Sequence, residues 1–333
     1  LSQAFTAYNT RIVAPPHGSM LPMSPVRKNI LMVACALGLL IPVVIIFICE
    51  NMNTRVRGRK DLESVTVPFI GEIPLFTRKK KGIFRKKPQE VRAIVVKEGS
   101  RDIINEAFRV LRTNLEFMTG KDKASNVIIV TSFNPGSGKS FLTMNIAVSF
   151  AIKGKKVLVI DGDLRHGSAS SYIDSPTKGL SDYLGGRIDN LNEIIVTNPK
   201  QKYLDILPVG TIPPNPTELL FDDRLKQVID TVREQYEYVL IDCPPIELVA
   251  DTQIIEKLAD RTIFVVRAGL LELSMLAELE KIYGEKKYKN MSLILNGTEG
   301  SGGRYGYRYG YRYGYHYGYG SEYHYGSDEK YIE

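Results

Sequence analysis

Residues 127–147 read VIIVTSFNPGSGKSFLTMNIA, and no other stretch restricts the fold as much. Val127–Thr131 is apolar on both faces and mostly β-branched, the pattern of a strand buried inside a parallel sheet. It runs straight into a glycine-rich turn, and an apolar helical pattern follows. Pro135, Gly136, Ser137, Gly138, Lys139 and Ser140 therefore stand between a strand and a helix, the setting in which G-x-G-K-S is a phosphate loop. The glycines let backbone N–H groups turn inward around phosphate oxygens. Lys139 neutralises β- and γ-phosphate charge, and the Ser140 hydroxyl can ligate Mg²⁺. Phe141 opens the helix, whose N-terminus adds partial positive charge. Where the common form of this loop has its first glycine, this chain has Phe133.

Five more apolar runs follow: Val157–Ile160, Leu204–Leu207, Tyr238–Ile241, Thr262–Val266 and Ser292–Leu295. Helical stretches such as 141–153 and 222–234 separate them. This alternation predicts a doubly wound, mainly parallel α/β sheet with helices on both faces, of the P-loop NTPase type. In such sheets ligands bind at the carboxyl edge of the strands. The run ending in IDGDLR puts Asp161, Asp163 and Arg165 at that edge, and the run ending in IDCPP puts Asp242 there. One aspartate at a strand end is often only a helix cap. Three carboxylates beside a phosphate loop would repel one another without a divalent ion, so Ser140, Asp161, Asp163 and Asp242 are the expected metal ligands.

Ahead of this domain, Ile30–Cys49 is twenty residues without a charge. A helix of that length matches the roughly 30 Å hydrocarbon core of a bilayer, and Gly38 and Pro42 are tolerated in spanning helices. The chain's net charge is +7. Residues 51–90 hold eleven Lys or Arg (Arg55, Arg57, Arg59, Lys60, Arg78, Lys79, Lys80, Lys81, Arg85, Lys86, Lys87) against Asp61, Glu63, Glu72 and Glu90, which accounts for all of it. A patch so local argues against nucleic acid as partner and for a cytoplasmic C-terminal side lying on anionic lipids. The expected organisation is an extracytoplasmic proline-rich segment 1–29, a membrane helix 30–49, a basic juxtamembrane linker 50–94, an α/β domain 95–300 and a tail 301–333. The opening on Leu1 reads as the later part of a longer membrane protein. Cys35, Cys49 and Cys243 suit neither a disulfide framework nor a metal site, and Cys243 fits a reducing compartment.

Together these residues resemble the bacterial tyrosine kinases. The shared features are S-x-x-P-G-x-G-K-S (Ser132–Ser140), D-x-D-x-R (Asp161, Asp163, Arg165), D-x-P (Asp242, Pro244), KGLSDYL at 178–184, PPNPTELL at 213–220 and the tail. The early loop lysine of the partitioning ATPases is absent, since Asn134 holds its place. The proline-rich stretch before the membrane helix resembles the polysaccharide co-polymerases to which such kinases are fused. The resemblance implies an inner-membrane kinase using ATP and Mg²⁺, linked to capsule or exopolysaccharide polymerisation and export and opposed by a cognate phosphotyrosine phosphatase. It also implies that Glu106, Arg109 and Arg112, three residues apart on one helix, dock on the next subunit of a homo-oligomeric ring. Without it they read as an intrahelical ion pair.

In the implied mechanism Lys139 and Mg²⁺ withdraw charge from the γ-phosphate, and Ser140 and Asp242 hold the metal. One of Asp161 and Asp163 assists the tyrosine hydroxyl while the other supports the metal; Arg165 pairs with phosphate or braces the carboxylates. The acceptors are Tyr305, Tyr307, Tyr309, Tyr311, Tyr313, Tyr315, Tyr317, Tyr319, Tyr323, Tyr325 and Tyr331, set among glycine and arginine in a segment too poor in apolar bulk to fold. Phosphates would turn this neutral tail strongly anionic and loosen the ring. Two rival readings are a membrane-tethered ATPase that marks no tyrosine and a non-catalytic scaffold for polysaccharide assembly.

Overall fold

The computed structural model describes residues 26–51, 54–76, 93–119, 126–247 and 250–299. It divides into two units, Leu1–Asn53 and Thr54–Glu333. In the first, α1 (Arg27–Asn51) is one continuous helix through Pro42. Its segment Arg27–Ile48 is long and apolar enough to cross a membrane, with every side chain in it exposed.

In the second unit, eight strands form one sheet: β1 (Phe69–Pro74), β2 (Val127–Thr131), β3 (Val157–Asp161), β4 (Val196–Thr197), β5 (Leu204–Leu207), β6 (Tyr238–Asp242), β7 (Arg261–Arg267) and β8 (Met291–Thr298). Their order is β1-β8-β7-β2-β6-β3-β5-β4, parallel throughout except for the short antiparallel edge β4. The helices are α2 (Ile103–Thr119), α3 (Lys139–Ala151), α4 (Leu180–Leu184), α5 (Pro216–Leu220), α6 (Asp223–Gln235), α7 (Asp251–Glu256) and α8 (Met275–Gly284). All six strands expected from the sequence are present.

Alternate residues of each central strand enter different cores. Val127, Ile129, Leu158, Ile160, Val239 and Ile241 face the layer that includes α6 and α8. Ile128, Val130, Val157, Val159 and Leu240 pack with Leu111 and Leu115 of α2 and Leu142 and Ile146 of α3. Both faces of the sheet are therefore dry, which is why its strands carry no polar alternation.

The reading of 50–94 as a linker is corrected over residues 54–76. β1 pairs with β8, and Val56, Leu62, Val67, Ile70 and Ile73 are buried. The Val56 N–H donates to the Leu271 carbonyl at 2.9 Å, and Val56 accepts from the Gly269 N–H at 2.8 Å. A basic character averaged over forty residues had hidden the short apolar strand FIGEIP. Arg55 and Arg59 sit on the folded unit, Arg55 donating to the Gly269 carbonyl and Arg59 lying 5.1 Å from the centre of the Phe69 ring. The basic residues 78–87, most of segment 1–29, and the tail with all eleven tyrosines lie outside the described residues.

Candidate functional site

The chain winds from β2 to β3 in one direction and from β6 across β2 to β7 in the other, so the carboxyl ends of β2, β3 and β6 surround a topological switch point. Gly136 and Gly138 both have left-handed φ, at 74° and 87°. A Cβ on Gly138 would collide with the Asn296 amide and press on the Arg267 guanidinium. The loop is braced from within: Ser132 and Ser137 each donate from Oγ to the Asn134 carbonyl at 2.8 Å, and Asn296 Nδ2 donates to the Ser137 carbonyl at 2.8 Å. The first intrahelical bond of α3 runs from the Leu142 N–H to the Gly138 carbonyl at 3.0 Å, so the N–H groups of Ser140 and Phe141 belong to the first turn, ahead of it. Phe141's own ring turns away, edge-on to Phe108.

Phe133 explains its departure from the usual glycine. It is buried and meets Phe264 edge-on at 4.9 Å. The loop thus starts from a side chain anchored in the core.

Asp161 and Asp242 end neighbouring strands in register. They are 0% and 1% exposed, and each has one oxygen, Oδ1, with no hydrogen-bond partner. The other Asp161 oxygen accepts from the Ser170 N–H at 2.6 Å and Oγ at 2.7 Å. Burial pushes Asp161 up to about 6. Asp242 goes to about 8 through burial and repulsion from Asp161, against a hydrogen bond from Ser140 and the Lys139 charge. Two buried carboxyls held side by side with unpaired oxygens, next to a serine at a phosphate loop, fit a magnesium ion carried in on phosphates.

Asp163 behaves differently from the expected third ligand. Its carboxylate accepts from the backbone N–H groups of Arg165 and His166, both at 3.2 Å, and lies 3.2 Å from His166 Nδ1. Among the described residues no three of His, Cys, Asp and Glu group as a self-contained metal cage. Asp163 Oδ1 thereby caps the turn that follows β3.

Arg165 braces a carboxylate, but not one of that trio. Its Nε donates to Asp251 Oδ2 at 3.2 Å and its Nη2 to Thr217 Oγ1 at 2.9 Å, while Thr217 donates to Asp251 Oδ1 at 2.6 Å. Asp251, fully buried at the start of α7, carried no sequence signal. Thr217 did, as part of PPNPTELL. Asn296 and Ser170 were also missed, since neither lies in a motif.

On α2, Glu106 and Arg109 form an ion pair at 2.5 Å. Arg112 turns inward instead, donating to the Ser149 carbonyl at 3.0 Å. Glu106 and Arg109 are thus partly exposed, while Arg112 is buried beside them.

A glycine-turned loop at a helix N-terminus, with buried acids at the adjoining strand ends, defines a P-loop nucleotide-binding protein. Residues 125–293 match the AAA domain family. The chain is 35% identical over 209 residues to the tyrosine-protein kinase YwqD of Bacillus subtilis, covering 62% of this chain and 87% of YwqD. It is 33% identical over 294 residues to the putative tyrosine-protein kinase AmsA of Erwinia amylovora, covering 85% of this chain. The solved kinase domain of the Escherichia coli tyrosine kinase ETK superimposes with a TM-score of 0.64 at 30% identity, over 79% of this chain and 100% of that one. The chain belongs to the bacterial tyrosine kinase family. It spans 39% of the length of AmsA and 40% of EpsB of Ralstonia solanacearum.

Proposed function

We propose that this chain is an ATP-dependent protein-tyrosine kinase, anchored in the inner membrane by α1 with its α/β unit cytoplasmic, that phosphorylates the tail tyrosines of neighbouring copies. The observation that carries the reading is the pair of buried, unpartnered oxygens on Asp161 and Asp242 beside the phosphate loop. Magnesium, when bound, supplies charge neutralisation at the phosphates.

The protein's part is positioning. Loop N–H groups and Lys139 hold the phosphate oxygens, and Ser140 and Asp242 hold the metal. Asp161, deeper and fixed by Ser170, supports the metal side. Asp163, nearer the surface, takes the acceptor. A tyrosine hydroxyl ordinarily loses its proton near pH 10, so its Oη needs a carboxylate to receive that proton as it bonds to the γ-phosphorus and ADP departs. Arg165, tied to Asp251 and Thr217, keeps the Asp163 turn and α5 in fixed relation.

The role in capsule or exopolysaccharide assembly, ring formation through α2, lipid contact at the basic segment and a cognate phosphatase rest on the family resemblance. In support, one relative is named as a putative tyrosine-protein kinase in the cps region of Klebsiella pneumoniae. Incubating the chain with Mg-ATP and mapping phosphotyrosine by mass spectrometry tests the activity. Modification across residues 305–331 is expected, and none in Lys139→Met. Phosphate release with an unmarked tail would assign the site to an ATPase instead.

A further inference from the structure

A cleft of about 480 Å³ opens at the opposite end of α3 from the phosphate loop, lined by Lys97, Asn105, Arg109, Arg112, Ser149 and Lys153. The 13 residues of α3 put roughly 20 Å between the two places. Arg112, only 7% exposed, is its fixed element. Nη1 donates to the Ser149 carbonyl and caps the end of α3; Nε has no hydrogen bond, lying 3.8 Å from Glu116, and Nη2 donates to nothing among the described residues.

Lys97 and Lys153, both lining the cleft, are exposed and form no ion pair among the described residues. Of the nearby acids, Glu106 is taken by Arg109 and Glu116 makes a long ion pair with Arg112 at 3.8 Å, which leaves Glu98 as the acid on the rim. Burial draws the Arg112 pKa down, and the distant Glu116 charge only partly offsets it. Val96 and Ile152 add an apolar wall.

A buried arginine with two exposed ammonium groups on the same cleft is the arrangement that grips a phosphate dianion, and an apolar wall beside it suits an aromatic ring. The chain supplies such a group itself. Its last residues alternate tyrosine with glycine and basic residues, so an arginine within two positions of a modified tyrosine can meet Glu98. From residue 300 onward, 34 residues can reach on the order of 100 Å when extended.

We propose that this cleft docks a phosphorylated tyrosine of the tail, from the same or another copy, with the ring against Val96 and Ile152 and the phosphate between Arg112, Lys97 and Lys153. The proposal rests on the kinase reading for the origin of the phosphate, but its test does not. Docking there covers the Arg109 side of α2, so the product of the reaction competes for the face proposed to meet a neighbouring subunit.

The test uses the full chain in detergent, in the Lys139→Met background so that its own tail stays unmodified. It is titrated with a peptide of residues 304–313 phosphorylated at Tyr309, with the same peptide unphosphorylated, with inorganic phosphate and with short-chain phosphatidylglycerol. The phosphopeptide is expected to bind at least about tenfold more tightly than the other three. Lys97→Gln combined with Lys153→Gln is expected to weaken it about tenfold or more, while nucleotide affinity in the otherwise native chain stays unchanged. Binding that ignores the two lysines overturns the proposal. So does inorganic phosphate matching the phosphopeptide, which makes this a bare anion site, or phosphatidylglycerol matching it, which makes it a lipid site. A tail left unmarked by Mg-ATP would end the kinase reading while leaving the peptide titration to decide the docking.

Discussion

The two ends of α3 both suit anions, and they are built differently. At the front, the proposed ligand-facing groups are backbone N–H groups turned by Gly136 and Gly138, with the buried acids Asp161 and Asp242 proposed to hold a metal. At the back the helix presents carbonyls, whose partial negative charge disfavours an anion. Side chains from three separate segments, Lys97, Arg112 and Lys153, override it. A site made of main chain depends on conformation and tolerates few substitutions; a site made of side chains depends on charge and can be tuned one residue at a time. The front end is suited to one fixed ligand and the back end to adjustable affinity.

The largest effect that would sharpen this contrast is expected at Asp242. Replacing it by Asn removes a proposed metal-ligating carboxylate, and phosphoryl transfer should fall on the order of 10³–10⁴-fold, about 4–5 kcal/mol of barrier, read from initial rates of tail phosphorylation. Stability should move the other way. With folded-state values of about 6 and about 8, Asp161 and Asp242 keep protons that the unfolded chain has already shed. The contribution of this pair is therefore fullest below about pH 4 and is lost as pH rises through 8. Without nucleotide, Asp242→Asn should melt above the parent at pH 8 and near it at pH 5. A variant that melts lower at pH 8 would mean that the carboxyl is not strained by burial.

Next in size is Phe133→Ala. The ring lost from between Phe264 and its neighbours should cost about 3–5 kcal/mol of stability, measured by denaturant unfolding. Because the phosphate-facing groups of the loop are main-chain N–H groups and start three residues later, at Gly136, nucleotide affinity should change much less than stability in the chain that remains folded. A loss of affinity as large as the loss of stability would show that the front site depends on that side chain after all.

The same contrast decides what sequence could reveal. The front end is written in one contiguous stretch, because a strand, a turn and a helix N-terminus are consecutive in the chain; hence Pro135–Phe141 and the acids closing two apolar runs were legible. The back end draws on residues 97, 112 and 153, which only tertiary packing brings together, and no spacing rule marks them. Asp251 escaped for the same reason: its partners Arg165 and Thr217 lie 86 and 34 residues away. β1 escaped for another. Its pairing with β8 satisfies a short edge strand whose own sequence is swamped by flanking charge.

The smallest expected effect tests what α2 does with the pair left outside. Glu106 and Arg109 are only partly shielded, and an i,i+3 pair of this kind contributes about 0.2–0.5 kcal/mol to a helix. Glu106→Ala should therefore change unfolding free energy by no more than that. If α2 also docks on a neighbouring copy, sedimentation of the chain in detergent should nevertheless shift towards smaller species, since a partner's cation would lose its counter-charge at a desolvated contact. A stability change within that range and an unchanged sedimentation profile would reduce the pair to a helix-surface ion pair. The α2 face would then be left to the phosphotyrosine cleft alone.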